Sequence, residues 1–488
     1  MKPLTGLDAS FLHLETAEMP MHVGALHVLA LPAGFKGSFI ERLRAHIEQR
    51  LPQLAALRRR LGKVPLDLFN PVWEDAVPDL GEHIVSQTLP AGSGLRALEQ
   101  AVAWLHMSLL PRDRPLWKFH VFEGLAPGHQ GQTYVALYTQ MHHAAVDGQA
   151  AVALASVILD LSPEPRALPE RPARPPRAPL GAVGLLRGAL AHQWHQTLRL
   201  GRALPAGIGN LAQLATQTAE DALQTWRQAP RKQRSGLAAP RTRFNSSVGR
   251  ERRFASLSLP LAALNAARAR HGASLNDALL MICSGALRRL LLELGELPRQ
   301  PLVAAVPISK RAEGDSAASN QVSMTRVRLP TQIADPRRRL AQLLREAATM
   351  KRGMATMKAL MPADFPSPGW PWLLGSAARL WGGAHLAEKL PPLVNLVISN
   401  VPGAPVPLYL AGARMLTNAP ASIIVHGIAL NLTVQSYAGQ LELGLIADGA
   451  ALDEAQALAF IGHLQAAYDE LLALPAPRRA VAKATRSA

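Results

Sequence analysis

Residues 139–150, TQMHHAAVDGQA, put two adjacent histidines after an apolar run, with Asp147 and Gly148 close behind His143. Three kinds of chemistry are open to such a string. A histidine with an unperturbed pKa of about 6.5 can take a proton from a hydroxyl at neutral pH. A nearby carboxylate can then brace the turn, and a glycine lets a substrate approach the backbone. Alternatively, His143 and Asp147 can both reach a metal ion if the segment is helical. The remaining histidines are scattered singly and the chain has one cysteine, so further ligands are not in sight and no metal is expected. The third possibility is a structural turn that holds two imidazoles. By itself the string does not separate that turn from a general base.

The elements around the motif constrain it. QTYVALYTQM has the composition of a strand and GQAAVALASVILDL that of a helix, so the pair sits where a strand gives way to a turn. If the strand runs through both histidines, His142 and His143 point to opposite faces, which argues against joint chelation. One of the two is then left to pack or orient. Further strand candidates include MHVGALHVLAL, PLVAAVPIS, NQVSMTRVRLP, LVNLVISNVPG, GIALNLTVQSYAG and QLELGLIADG. FIERLRAHIEQRL has helical spacing, and RRFASLSLPLAALNAARARHG reads as a strand followed by a helix. Strands and helices therefore mix in both halves, which predicts an α/β or α+β class with two layers in each half.

At 488 residues the chain exceeds what a single core organises, and 48% hydrophobic against 18% charged residues fits a folded protein. The divisions expected are an N-terminal domain over 1–160, a linker over 161–245, a C-terminal domain over 246–476 and a basic tail over 477–488. Residues 161–180 hold seven prolines and four arginines, an extended linker. A helical stretch containing Trp194 follows, and then residues 226–255 carry nine basic residues against one glutamate. That run is either a solvated connection or a surface for anionic lipid or a cofactor phosphate. The net charge of +17 favours anionic partners, but no zinc-finger spacing or aromatic RNA-binding motif supports nucleic acid. Cys283, the lone cysteine, excludes an intrachain disulfide, fits a reducing cytoplasm, and lies in the buried-helix pattern LLMICSGAL of an inert thiol. The first residues lack the apolar core of a secretory signal, and no run of about 20 apolar residues predicts a membrane span.

The string HHAAVDG matches the HHxxxDG motif of the CoA-dependent acyltransferase superfamily. Nearly the whole chain resembles the bacterial wax ester synthase/diacylglycerol acyltransferase family within it. PLTGLDASFLHLETAEMPMHVGAL, RPLWKFHVFEGL, SLNDALL, SNQVSMTRVRLPT, ISNVPGAPVPLYLAGARM and NLTVQSYAGQLELGLIAD are similar to that family's blocks and occur in its order. The sequence departs from the pattern at Pro111 and Lys118, where acidic residues are common, and its linker is longer and more basic.

The resemblance implies two domains like chloramphenicol acetyltransferase, each a mixed sheet with helices, and an active site in the channel between them. It implies transfer of a fatty acyl group from acyl-CoA, as co-substrate with no other cofactor, to a long-chain alcohol or diacylglycerol. His143 would be the general base, His142 would support the loop, and Asp147, beside Gly148, would hold the turn by pairing with an arginine. Asn276 would polarise the thioester or orient His143, unless it belongs to a helix cap with Ser274 or Asp277. Ser399 and Asn400 would line the channel, although a tight turn set by Pro402 and Gly403 explains them better. Gly24 would let an acyl chain pass the backbone, or would simply pack within its strand. Arg241 and Arg243 would meet the CoA phosphates. Trp370, Trp372 and Trp381 lie in an apolar stretch suited to core, tunnel or membrane contact. The enzyme would be cytoplasmic and peripheral, on the inner membrane face or on lipid inclusions. A non-catalytic lipid-surface protein on the same fold is the alternative.

Overall fold

The computed structural model describes residues 2–62, 70–128, 131–146, 148–168, 181, 184, 238–309, 322–358 and 384–476. Asp147, Trp194, Trp370, Trp372, Trp381 and the tail from 477 lie outside them, as does most of 161–237.

The strand Tyr134–His142 is buried along most of its length, and alternation sends its residues into two cores. Ala136 and Tyr138 pack with Leu98 and Val102 of the helix Leu95–Leu105 and with residues of the second half. Val135, Leu137 and Met141 pack instead with Leu43 and Ile47 of the helix Phe39–Arg50 and with Leu154 and Ile158. A strand covered on both faces belongs at the centre of a sheet. Here it lies between His22–Ala30 and Trp117–Leu125, antiparallel to both. Ile84–Ser93 extends that sheet as a parallel edge.

The second half builds a six-stranded mixed sheet in the order Val322–Leu329, Leu302–Ser309, Leu396–Val401, Leu430–Tyr437, Gln440–Asp448 and Arg252–Pro260. Its helices Leu275–Glu293 and Glu454–Ala473 cover one face, through Leu280, Leu287, Phe460 and Leu464. Cys283 is buried in the first of them, and that burial pushes its thiol up to about 12. This is the burial that the sequence predicts. Both principal sheets are mixed, so the class is mixed α/β.

One connection was not foreseen. After Leu396–Val401 the chain crosses to the first half's sheet, where Tyr409–Leu410 and Ala413–Met415 extend it beside His22–Ala30. Ala419–Ala421 also pairs with His22–Ala30. A β-carbon on Gly444 of the second sheet would collide with the carbonyl of Pro420, so this short strand is pressed against both sheets. Such two- and three-residue strands are too short to carry an alternation pattern.

Candidate active site

The strand ends at His142, and His143 already belongs to the following turn. The alternation argument for opposite faces therefore does not reach His143. Different bonds separate the two rings instead. His142 is buried, and its Nδ1 accepts the N–H of Ala144 at 3.0 Å. A lone pair used there places the ring proton on Nε2, which lies 3.2 Å from Oε1 of Glu15. With Nδ1 bonded and Nε2 beside the Glu15 carboxylate, His142 ties the turn to the first helix. His143 is half-buried, its ring stacked on Phe11 with centroids 4.2 Å apart and 14° between planes. Its backbone N–H donates to the carbonyl of Met21 at 2.8 Å.

Glu15 is the residue that the sequence concealed. It caps the C-terminus of the helix Gly6–Leu14, where a carboxylate opposes the helix dipole. Its side chain is 2% exposed. Burial alone would raise its pKa, but the His142 ring, Arg112 and the Met21 N–H outweigh burial and hold the carboxyl at about 2. Arg112 donates to Glu15 at 2.9 Å and to the carbonyl of Leu12 at 2.7 Å. An acidic residue at a helix C-terminus is a local inconsistency, the one signal in the sequence that could have pointed to it.

The PLW segment buttresses the same turn. The carbonyl of Leu116 accepts the His142 N–H at 2.9 Å. Trp117 is buried, stacks on His83 at 4.3 Å, and donates its indole N–H to Leu57 at 3.0 Å. Behind the strand lies a polar core. Gln140 donates to the carbonyls of Leu105 and Ser108 at 3.3 and 3.0 Å. His22, opposite His142 in the register, donates from Nε2 to the carbonyl of His106 at 2.6 Å. His106 in turn joins the hydroxyl of Tyr138, at 2.6 Å, to the carbonyl of Ser422 on the crossover, at 2.9 Å.

Burial pushes the pKa values of His22 and His120 down to about 4. The unfolded chain takes up these protons near pH 6.5, whereas the folded chain does so only near 4. Stability is therefore full above 6.5 and is lost as pH falls through this window. Each residue should cost roughly 2 kcal/mol between pH 6.5 and 5. Urea midpoints that stay equal at pH 7.5 and 5 would refute this.

The other expected site residues are placed as follows. Asn276 is the second residue of Leu275–Glu293 and is half-buried. The cap is a reciprocal pair of Ser274 and Asp277, so Asn276 is not part of it. Ser274→Ala should cost about 1 kcal/mol of stability, while Asn276→Ala should lower turnover at unchanged melting temperature. A stability loss from Asn276→Ala with intact turnover would reverse that assignment. Ser399 and Asn400 are half-buried on the strand Leu396–Val401. Gly403 presses on the carbonyl of Ser436, where no β-carbon fits. Gly24 likewise has no room, because a β-carbon would meet the Thr139 carbonyl and the Tyr138 ring. Close strand packing accounts for this glycine. Gly148 opens the helix Gly148–Ile158.

Arg241 and Arg243 are committed to the protein. Arg241 donates to the carbonyls of Ala387 and Leu390 at 3.3 and 2.5 Å. Arg243 grips both oxygens of Glu296 at 2.9 and 2.8 Å and also Gln456 at 2.9 Å. Asn245 donates to the carbonyls of Val394 and Gly427, so residues from about 239 onward are stitched to the second half rather than forming a loose arm.

Two sheets joined by a crossover, with a histidine pair at the end of a central strand, make a fold that is found in solved structures. The starter condensation domain of rhizomide synthetase shares that fold, with a TM-score of 0.51 over 97% of each chain at 16% identity. The chain belongs to the wax ester synthase/diacylglycerol acyltransferase family. The family's catalytic-domain model matches residues 4–279 and its C-terminal-domain model residues 318–471. A putative diacylglycerol O-acyltransferase of Mycobacterium tuberculosis is 36% identical over 473 residues, 96% of this chain and 99% of its own. A probable diacylglycerol O-acyltransferase of the same organism is 33% identical over 480 residues, 95% of this chain and 97% of its own. The wax ester synthase/diacylglycerol acyltransferase of Marinobacter aquaeolei superposes with a TM-score of 0.66 at 28% identity, covering 96% of this chain and 98% of that one.

Proposed function

We propose that this protein is an O-acyltransferase that moves a fatty acyl group from acyl-CoA to a long-chain alcohol, to diacylglycerol, or to both. Acyl-CoA serves as co-substrate and no further cofactor takes part. The observation that carries the reading is the division of labour in the HHAAVDG turn within this family's fold. His142 accepts the Ala144 N–H at Nδ1 and holds Nε2 beside the buried Glu15 carboxylate, an arrangement that favours His143 for proton transfer. His143 takes the proton of the acceptor hydroxyl as the oxygen attacks the thioester carbonyl. The tetrahedral oxyanion collapses, the C–S bond breaks, and the CoA thiolate recovers the proton from the imidazolium. Asn276, outside the helix cap, is suited to donate to the developing oxyanion. Ser399 and Asn400 would line the channel between the halves, and Asp147 would brace the turn before Gly148.

The test is purified protein with palmitoyl-CoA and either hexadecanol or dipalmitoylglycerol, following free thiol and neutral lipid. No thiol release with any hydroxyl acceptor overturns the reading and leaves a non-catalytic lipid-surface protein.

Among the described residues no helix is long and apolar enough to cross a membrane. We place the enzyme in the cytoplasm, peripheral to the membrane or to lipid inclusions, and assign electrostatic attraction to the basic run 226–255. Its pull on anionic vesicles should weaken as salt screens it. Flotation that is equal with anionic and zwitterionic lipid at every salt level would reduce this run to a linker.

A further inference from the structure

A cleft of about 240 Å³ opens on the surface between the helix Leu95–Leu105, the strand Arg252–Pro260 and the start of the helix Glu454–Ala473. Its apolar lining includes Ala103, Trp104, Met107, Phe254, Ala255 and Leu458. Trp104 is 63% exposed, unusual for the largest apolar side chain. Arg96, Gln100 and Trp104, spaced by four, lie along one face of the first helix.

The charges around the cleft decide what it can take. Arg96, Arg252 and Arg253 face Glu99, Glu251 and Glu454, three against three. Most are already satisfied. Arg253 pairs with Glu251 at 2.7 Å and Arg252 with Asp448 at 3.4 Å. Glu99 accepts the N–H and the hydroxyl of Ser256, each at 2.7 Å, and lies 3.6 Å from Arg96. Glu454 accepts the amide of Gln100 at 2.6 Å. On a chain of net charge +17, this is a locally neutral site whose unsatisfied surface is apolar. A phosphate or carboxylate meets here only cations that already have a carboxylate beside them. The volume exceeds the roughly 150 Å³ that suffices for a benzene ring, and an indole at an apolar-polar boundary suits a lipid interface.

We propose that this cleft takes one uncharged hydrocarbon chain from a lipid layer, docking the protein by apolar contact rather than by the charge of its basic run. The inference rests on the lipid-acyltransferase reading for its choice of occupant. Arg252, on the cleft wall, also donates to the carbonyl of Glu18, three residues before Met21, whose carbonyl accepts the His143 N–H.

Flotation of the full chain with phosphatidylcholine vesicles tests it. The parent should float equally at low and high salt. Trp104→Glu should partition roughly tenfold less, the effect of losing one buried aromatic group, while Trp104→Phe should float like the parent. Melting temperature and thiol release with a water-soluble short-chain alcohol should not change in either variant. The proposal is overturned if the parent ignores phosphatidylcholine, or if Trp104→Glu floats as well as the parent. It is equally overturned if the parent is a dimer that Trp104→Glu converts to monomer, because a second copy then covers the cleft. These are binding readouts, so loss of the acyltransferase reading would show separately, as absent thiol release.

Discussion

Replacing His143 by alanine should lower acyl transfer by about 10²–10⁴-fold, the range typical of a general base, with little loss of stability. The ring is half-buried and stacked on Phe11 rather than enclosed in a core. His142→Ala should behave differently. It removes the acceptor for the Ala144 N–H and the donor facing Glu15, so stability and activity should fall together. Thermal melts paired with thiol-release rates separate the two variants. Greater loss of turnover from His142→Ala in a protein that melts like the parent would reverse the assignment of the base.

Glu15→Ala should be the most destabilising single change near the motif. It leaves the His142 ring proton buried without its carboxylate and removes one partner of Arg112, at a cost of roughly 3 kcal/mol. Turnover should drop with it as the turn loosens. Glu15→Gln keeps the shape and one acceptor and should recover part of both. The carboxyl is held at about 2 in the folded chain, below the ordinary 4.5. Its contribution is therefore complete above pH 4.5 and fades as pH falls toward 2. The stability gap between parent and Glu15→Ala should narrow over that window, and a gap independent of pH would remove Glu15 from the account.

The sequence was legible where the pattern was long. The strand Tyr134–His142, the helix Phe39–Arg50 and the long strands of the second half follow from alternation and helical spacing. The histidine pair announced itself by composition. What supports that pair did not. Glu15, Arg112 and the Leu116 carbonyl lie 127, 30 and 26 residues from His142 (142 − 15, 142 − 112 and 142 − 116), and nothing local ties them together. The protein partners of Arg241 and Arg243 were hidden for the same reason. A basic run reads as free charge, whereas folding supplied Glu296 and main-chain carbonyls from distant segments. The crossover strands were invisible because their pairing comes from the sheet they join, not from their own residues.

That crossover changes what a break in the chain would do. The first half's sheet takes three of its seven strands from residues 409–421, and Asp160 exchanges two backbone hydrogen bonds with Tyr409, each at 2.8 Å. Arg50, buried, locks Asp160 in place at 2.7 Å. A protease cut between residues 169 and 180 would sever the peptide but none of these bonds. The two pieces would remain a non-covalent complex. Neither piece expressed alone could complete the first sheet, so the chain lends itself to reconstitution from split fragments, each idle until it meets the other.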